Sequence, residues 1–296
     1  MTEYCIMDKL TQKIIEIHRG EWPQNTLIPW VFTFMNKESR KAEPLLYDTS
    51  LVFITSWSKN IFLNEKKYSY WKWKFLLVSF PTPFLCEASL WEDNIFAWIT
   101  LTITRDGIVD IAREISYDRH WNNNELEVWV LALDVTDKIN NALSRLIDCC
   151  MDKVGSKVLW PMIVKEILFY ALQEPWAKDF CDNILNNSFS SPLSSLITEI
   201  NNNYHKDITV EWLAKDMNMS WATFYRHFKA FTGYSPIQYL KNLRLNKAKD
   251  FIKIYWLSVK ETSWKVWYNS VSQFSREYKK YFGCTPLSVN KKFFNS

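Results

Sequence analysis

The sequence predicts an α+β protein in two parts, a β-rich N-terminal domain that ends in helices and an all-helical C-terminal domain. Three observations predict it. β-branched and aromatic runs crowd the first 130 residues, apolar residues move to helical spacing from about residue 134, and a Ser/Asn/Pro-rich seam sets off the last third. At 296 residues the chain is long enough for about two domains on a prior of ~150 residues each. Its 48% hydrophobic and 23% charged residues give it the composition of a globular protein with a substantial core, not of a disordered or collagenous one.

The strands come first. Residues 51–55, 75–79 and 95–103 are short β-branched or aromatic runs punctuated by Pro81, Pro83 and polar clusters, as in a barrel or sandwich. The period then changes. Ile139, Leu143, Leu146 and Ile147 recur at helical spacing, and so do Ile163, Ile167, Leu168 and Ala171. Those two helices suit a dimer seam or an intramolecular core equally. The expected domains are therefore 1–185, a linker at 186–195, and 196–296. No apolar run approaches the ~18 residues of a membrane span, and the first residues lack a basic, then apolar, leader, so a cytoplasmic protein with no membrane contact is expected.

Charge separates the parts as well. From Pro192 onward there are sixteen Lys and Arg against seven Asp and Glu, a net +9 on a chain whose total is +4. A basic module on an acidic body is the electrostatic footprint of nucleic-acid binding.

Within that module Thr209 is an N-cap candidate before Val210, Leu213, Ala214 and Met217, which share one face. Ser220 can cap a second helix that turns Phe224, Phe228 and Phe231 inward and shows Ala222, Tyr225, Arg226 and Lys229 outside. After Pro236 comes a longer helix with Ile237, Leu240, Leu243, Ala248, Phe251 and Ile252 on its apolar side. The pattern then repeats. A short helix spans 259–266, Asn269 and Ser270 form a turn and cap, and the helix at 271–282 buries Phe274, Tyr278 and Tyr281 or Phe282 while showing Ser272, Gln273, Arg276 and Lys279. One half-cationic amphipathic helix is most often just a solvated face. Two copies about fifty residues apart, joined by one helix, predict twin helix-turn-helix units.

The residues that carry these helices resemble a known family. Ser220-x-Ala-Thr-Phe-Tyr-Arg-His-Phe-Lys229, Thr232-Gly-Tyr-Ser-Pro236, Leu243-Arg-Leu-x-x-Ala248 and Tyr268-Asn-Ser-Val-Ser-Gln-Phe-Ser-Arg-Glu-Tyr278, with Phe282-Gly-Cys-Thr-Pro286, are similar to the AraC-type DNA-binding domain. Thr26-Leu-Ile-Pro29, Lys59, Tyr70, Phe75-Leu-Leu-Val-Ser-Phe-Pro81, Glu87-Ala-Ser89, Arg145-Leu146 and Lys165-Glu-Ile-Leu168 resemble the family's N-terminal regulatory domain. The resemblance implies a cupin-like β-barrel followed by helices, and a transcriptional regulator that binds double-stranded DNA. Its expected partners are a small-molecule effector in the barrel, RNA polymerase and a second copy in a homodimer.

By position, the resemblance places Trp221, Ala222, Tyr225 and Arg226 of the first recognition helix, and Val271, Ser272, Gln273 and Arg276 of the second, toward base edges. Arg suits guanine and Gln suits adenine in the major groove. Ser220, Lys229, Ser235, Ser270 and Lys279 fall where phosphates would be held. Two readers on one chain should address major-groove segments about one helical turn, ~34 Å, apart.

An enzymatic reading has little to stand on. His18, His120, His205 and His227 form no HxH pair, so no cupin-type metal site is expected, and no cofactor. No P-loop, GxSxG or dinucleotide fingerprint occurs, and the stretch at 55–59 would not become a phosphate loop even with Gly at 57. Cys5, Cys86, Cys149, Cys150, Cys181 and Cys284 are scattered and read as reduced, mostly buried thiols. Cys86 is the candidate sensor thiol, although its apolar flanks offer no cation to activate it. The alternatives are a cupin-like small-molecule-binding enzyme fused to a DNA-binding domain, and a sequence-independent DNA-binding protein.

One pair of counts fits no fold. The chain has 16 Trp and 5 Gly, so Gly is about 2% of it against a typical ~7%. The family pattern expects Gly at Trp30, Trp57, Trp73, Trp176, Trp256 and Trp267. These positions are expected to be glycine, encoded by UGA codons that the organism reads as Gly and that have been rendered as Trp.

Overall fold

A computed structural model describes residues 2–18, 24–36, 39–55, 58–63, 66–89, 95–116, 130–174, 177–178, 180–181, 185 and 190–291. The chain divides into two compact units. One comprises Met1–Ala42, Tyr47–Phe80 and Cys86–Ser188; the other comprises Glu43–Leu46, Pro81–Leu85 and Phe189–Ser296.

In the N-terminal part, helix α1 (Thr2–Ile17) precedes β1 (Gln24–Asn25), β2 (Val31–Asn36), β3 (Arg40–Tyr47), β4 (Ser50–Ile54), β5 (Ser58–Leu63), β6 (Lys66–Trp71), β7 (Lys74–Val78), β8 (Thr82–Ser89) and β9 (Phe96–Thr102). Helix α2 (Arg105–Ser116) and strand β10 (Val130–Asp134) follow. The strands form two sheets, of order β1-β2-β9-β4-β7-β10 and β3-β8-β5-β6. The three apolar runs of the sequence are β4, β7 and β9, adjacent and antiparallel at the centre of the larger sheet. Phe53 pairs with Phe75 on one side and Ile99 on the other. A continuous apolar run is what a strand buried on both faces needs, and every residue of β4 is buried.

Two helices interrupt what composition reads as a strand region. Helix α1 buries Leu10 and Ile14, and α2 buries Ile108, Ile111 and Ala112. Helix α1 shows Lys9 and Glu16 to solvent, and α2 shows Asp106, Asp110, Arg113 and Glu114, which dilutes their apolar signal below that of the neighbouring strands.

The predicted helical pair is α3 (Asp137–Cys149) and α5 (Trp160–Gln173), with the short α4 (Gly155–Val158) between them. Thr136 caps α3 by accepting the Ile139 N–H at 3.4 Å. Ile139, Leu143, Leu146 and Ile147 face Ile163, Ile167, Leu168 and Ala171, all of them buried. Arg145 reaches both carboxylate oxygens of Glu166 at 2.7 Å.

The second unit is helical: α6 (Ser190–Asn203), α7 (Val210–Asp216), α8 (Trp221–Thr232), α9 (Pro236–Lys253), α10 (Val259–Lys265), α11 (Val271–Phe282) and α12 (Pro286–Lys291). Part of the expected linker is helical here. Residues 186–189 lie outside the described residues, while 190–195 open helix α6. Ser and Pro are as much helix-start residues as linker residues, and Leu193, Leu196, Ile197 and Ile200 bury the apolar face of α6.

Candidate nucleic-acid interface

The first helix pair is built around its caps. Thr209 accepts the Trp212 N–H at 3.2 Å at the start of α7, and Leu213 and Ala214 bury its inner face. Asn218 then turns left-handed at φ 52°. Its N–H donates to Lys215 O, and Met219 N–H donates to Ala214 O, both at 3.0 Å. That paired closure satisfies carbonyls that the helix end would leave bare. Ser220 caps α8, accepting the Thr223 N–H at 3.3 Å and donating to the Thr223 hydroxyl at 2.9 Å.

Helix α8 buries Phe224, Phe228 and Phe231. Trp221, Ala222, Arg226 and Lys229 are exposed and Tyr225 is half-buried, with the rings of Trp221 and Tyr225 stacked at 5.1 Å. The predicted outer stripe is therefore on the surface, with its aromatic members already packed together.

The second pair repeats this. A reciprocal capping box starts α10. Ser258 accepts the Glu261 N–H at 3.2 Å, while Glu261 Oε2 accepts from the Ser258 backbone at 3.0 Å and its hydroxyl at 2.6 Å. Those bonds hold the Glu261 carboxyl below its ordinary value. Ser270 caps α11, accepting the Gln273 N–H at 3.3 Å. Phe274 and Tyr278 are buried, Ser272, Gln273, Arg276 and Lys279 are exposed, and Val271 is half-buried. Gly233 and Gly283, at φ 85° and 74°, end α8 and α11 in the same left-handed way.

Helix α9 joins the pairs. Ser235 caps it, accepting the Gln238 N–H at 3.3 Å, and Pro236 fills its first position. Arg244 on this helix donates to the carbonyls of Tyr204 and Lys206, each at 2.8 Å, which ties α9 to the end of α6. Lys241 meets Glu277 of α11 at 3.2 Å.

Glu277 is the residue that sequence reasoning missed. Tyr268 Oη donates to it at 2.9 Å and Gln273 Nε2 at 3.1 Å, so one carboxylate gathers groups from α9, the turn and α11. Partial burial pushes its pKa up. Hydrogen bonds from Gln273, Tyr268 and Lys241, with the Lys241 charge, outweigh that and hold it below the ordinary value. The i,i+4 pair with Gln273 was visible in the sequence; the partner on α9 was not. The amide of Gln273, a predicted base reader, is thus engaged along its own helix.

In the N-terminal part, Cys86 is 2% exposed and its thiol lies by the hydroxyls of Tyr47 and Tyr70. Lys59, also 2% exposed, donates to the Tyr47 hydroxyl and sits 4.3 Å from the Trp98 ring centroid. Burial pushes the Tyr47 hydroxyl well above its ordinary pKa. Cys149, Cys150 and Cys181 are buried and Cys284 is exposed. Among the described residues no three His, Cys, Asp or Glu side chains gather as metal ligands, and no helix is long and apolar enough to cross a membrane. His120 lies outside those residues.

A family model described as a helix-turn-helix domain matches residues 213–292, and one described as the AraC-type transcriptional regulator N-terminus matches residues 27–178. The chain belongs to the AraC-type regulators.

Several relatives share parts of this AraC-type chain. The uncharacterized HTH-type transcriptional regulator YdiP of Escherichia coli K12 is 31% identical over 103 residues, 35% of this chain and 34% of that one. The lactose operon transcription activator of Staphylococcus xylosus is 29% identical over 156 residues, 52% and 54%. The transcriptional activator RhaS of E. coli is 26% identical over 127 residues, 43% and 45%. The matched regions thus span about a third to a half of the length of these relatives. Among solved structures, an apo ToxT variant of Vibrio cholerae aligns with a TM-score of 0.62 at 12% identity, over 91% of this chain and 99% of that one. Wild-type ToxT bound to an unsaturated fatty acid aligns at 0.60 over 88% and 93%. At that identity the likeness concerns the fold: an AraC-type chain with an N-terminal β domain and a helical C-terminal domain.

Proposed function

We propose that this AraC-type chain is a sequence-specific transcriptional regulator, not an enzyme, and that it reads DNA with both helix-turn-helix units. The carrying observation is the duplicated construction. Each recognition helix has a Ser cap, a buried aromatic spine, an exposed cationic stripe and a left-handed Gly end. In this reading Arg226 and Arg276 contact bases, together with Trp221, Ala222, Tyr225, Val271 and Ser272, and Gln273 does so once its amide leaves Glu277. Lys229 and Lys279 take phosphates. Ser235 and Ser270 accept within their own helices, which leaves their hydroxyl protons for a phosphate. Ser220 would turn its proton from Thr223 to the same purpose.

The N-terminal domain is the sensor. A small molecule would act through its differential affinity for two arrangements of the regulator, with RNA polymerase and a second copy of the chain as protein partners. The domain limits that go with this function are 1–185 and 196–296, with the seam at 186–195 running into the start of α6. Cys86, shut between two tyrosines, serves as a sensor thiol only if the sheets open.

Selection of random duplex DNA by the full chain tests the reading. A regulator enriches a site with two blocks about one helical turn apart and prefers it over random DNA by ~10³ or more. Salt-sensitive binding with no enriched motif would instead make the basic domain a nonspecific anchor.

A further inference from the structure

Among the described residues, four without Gly's freedom have a left-handed backbone: Trp73 at φ 79°, Asn218 at 52°, Trp256 at 56° and Trp267 at 63°. Asn tolerates that region because its short amide can bond locally; a bulky aromatic does not, because its Cβ meets the neighbouring carbonyl. Three of the four are Trp, and each stands where the turn itself demands a positive φ.

Trp267 shows the demand most directly. Its N–H donates to Trp264 O at 3.1 Å and Tyr268 N–H donates to Ser263 O at 2.9 Å, the same paired closure that Asn218 makes at the end of α7. The site belongs to Gly, or at second best to Asn. Trp256 follows the end of α9, and the turn there lets Leu257 N–H reach back to Phe251 O at 3.2 Å. Trp73 is the second of two residues joining β6 to β7. A positive φ at that place alone is the geometry for which tight turns select Gly.

Trp256 and Trp267 are 54% and 43% exposed, so neither ring is buried in the core. Among the described residues Trp30, Trp71, Trp212, Trp221 and Trp264 are also on the surface, while Trp98 is buried, although Trp is on average a well-buried residue. Gly and Trp together make up about 7% of the chain, the usual share of Gly alone.

We infer that the protein made in its own cells carries glycine at positions 73, 256 and 267, placed there by UGA codons that those cells read as glycine. The inference has a functional edge. Position 267 is the hinge between α10 and α11, so the residue there sets the angle at which the second recognition helix is presented. Trp30 has an ordinary backbone and falls outside the inference, and Trp57 and Trp176 lie outside the described residues.

Peptide mass spectrometry of the endogenous protein decides it for positions 256 and 267. Trypsin cuts after Lys253, Lys260, Lys265 and Arg276, so peptides 254–260 and 266–276 each contain one position in question. Glycine masses in both are expected; a Trp mass in either overturns the inference. A second measurement reads the strain. In the full chain as written, Trp73→Gly, Trp256→Gly and Trp267→Gly should each raise the melting midpoint by about 2–4 °C. Trp264→Gly, inside α10 with an ordinary helical backbone, should lower it. If all four lower it alike, the three sites carry no strain and the physical basis of the inference is lost.

Discussion

At the scale of single residues, Arg276 and Lys279 share a helix face and differ in what they should do there. Arg276→Ala is expected to weaken binding by ~1–3 kcal/mol through one base pair and to relax specificity at that position. A uniform loss across all sequences in a mutated-site binding assay would make Arg276 a phosphate ligand. Glu277 makes a different prediction. Its folded pKa lies below the unfolded one, so its stabilising effect is present above the unfolded value and is lost as pH falls through the folded value. Glu277→Gln should lower stability at neutral pH by ~0.5–1.5 kcal/mol. It should also flatten the acid side of a urea-midpoint profile below about pH 4.5. A profile as steep as that of the parent chain would place the proton uptake elsewhere. Thiol chemistry is a third residue-scale readout. Of the described thiols Cys284 should be alkylated first and Cys86 only after unfolding; rapid labelling of the folded protein at Cys86 would mark it as accessible to an oxidant or electrophile.

Elements carry the next level. Phe274 is fully buried, with the rings of Tyr268 and Tyr278 at 5.3 and 5.6 Å. Phe274→Ala is expected to destabilise by ~3–5 kcal/mol, since it empties the spine of α11. Ser258→Ala removes one capping box and should cost only ~0.5–2 kcal/mol. Equal effects in denaturant titrations would mean that the spine is not the main support of the second reader. These elements were legible in the sequence because their signals are local: apolar spacing, Ser and Thr caps, and Gly at two matching helix ends. Helices α1 and α2 were not, since charged residues interrupt their apolar spacing in the sequence. The seam at 186–195 reads two ways, because Ser and Pro serve linkers and helix starts alike. Glu277 stayed hidden for another reason, namely that its role depends on Lys241, a residue 36 positions away on another helix.

For the molecule as a whole, charge and duplication are the governing facts. With a net +9 in its last third, the chain should bind DNA with a strong salt dependence, whatever its sequence preference. Replacing Lys229 and Lys279 together by Ala should reduce the slope of log K against log salt by about 2 and leave the preferred motif unchanged. An altered motif would move these lysines from the backbone to the bases. The two copies are near-repeats but not identical. Forty-nine residues separate Asn218 from Trp267, and fifty separate the caps Ser220 and Ser270, so the second turn is one residue longer.

The clasp of Arg244 on the Tyr204 and Lys206 carbonyls has a mechanical meaning. Helix α6 is where the chain enters this unit, and α9 is the beam on which both readers hang. Because the guanidinium bolts the foot of one to the middle of the other, a torque applied through α6 would reach the shared beam. On the proposed reading of DNA by both helix pairs, the two heads would then swing together as a yoked pair.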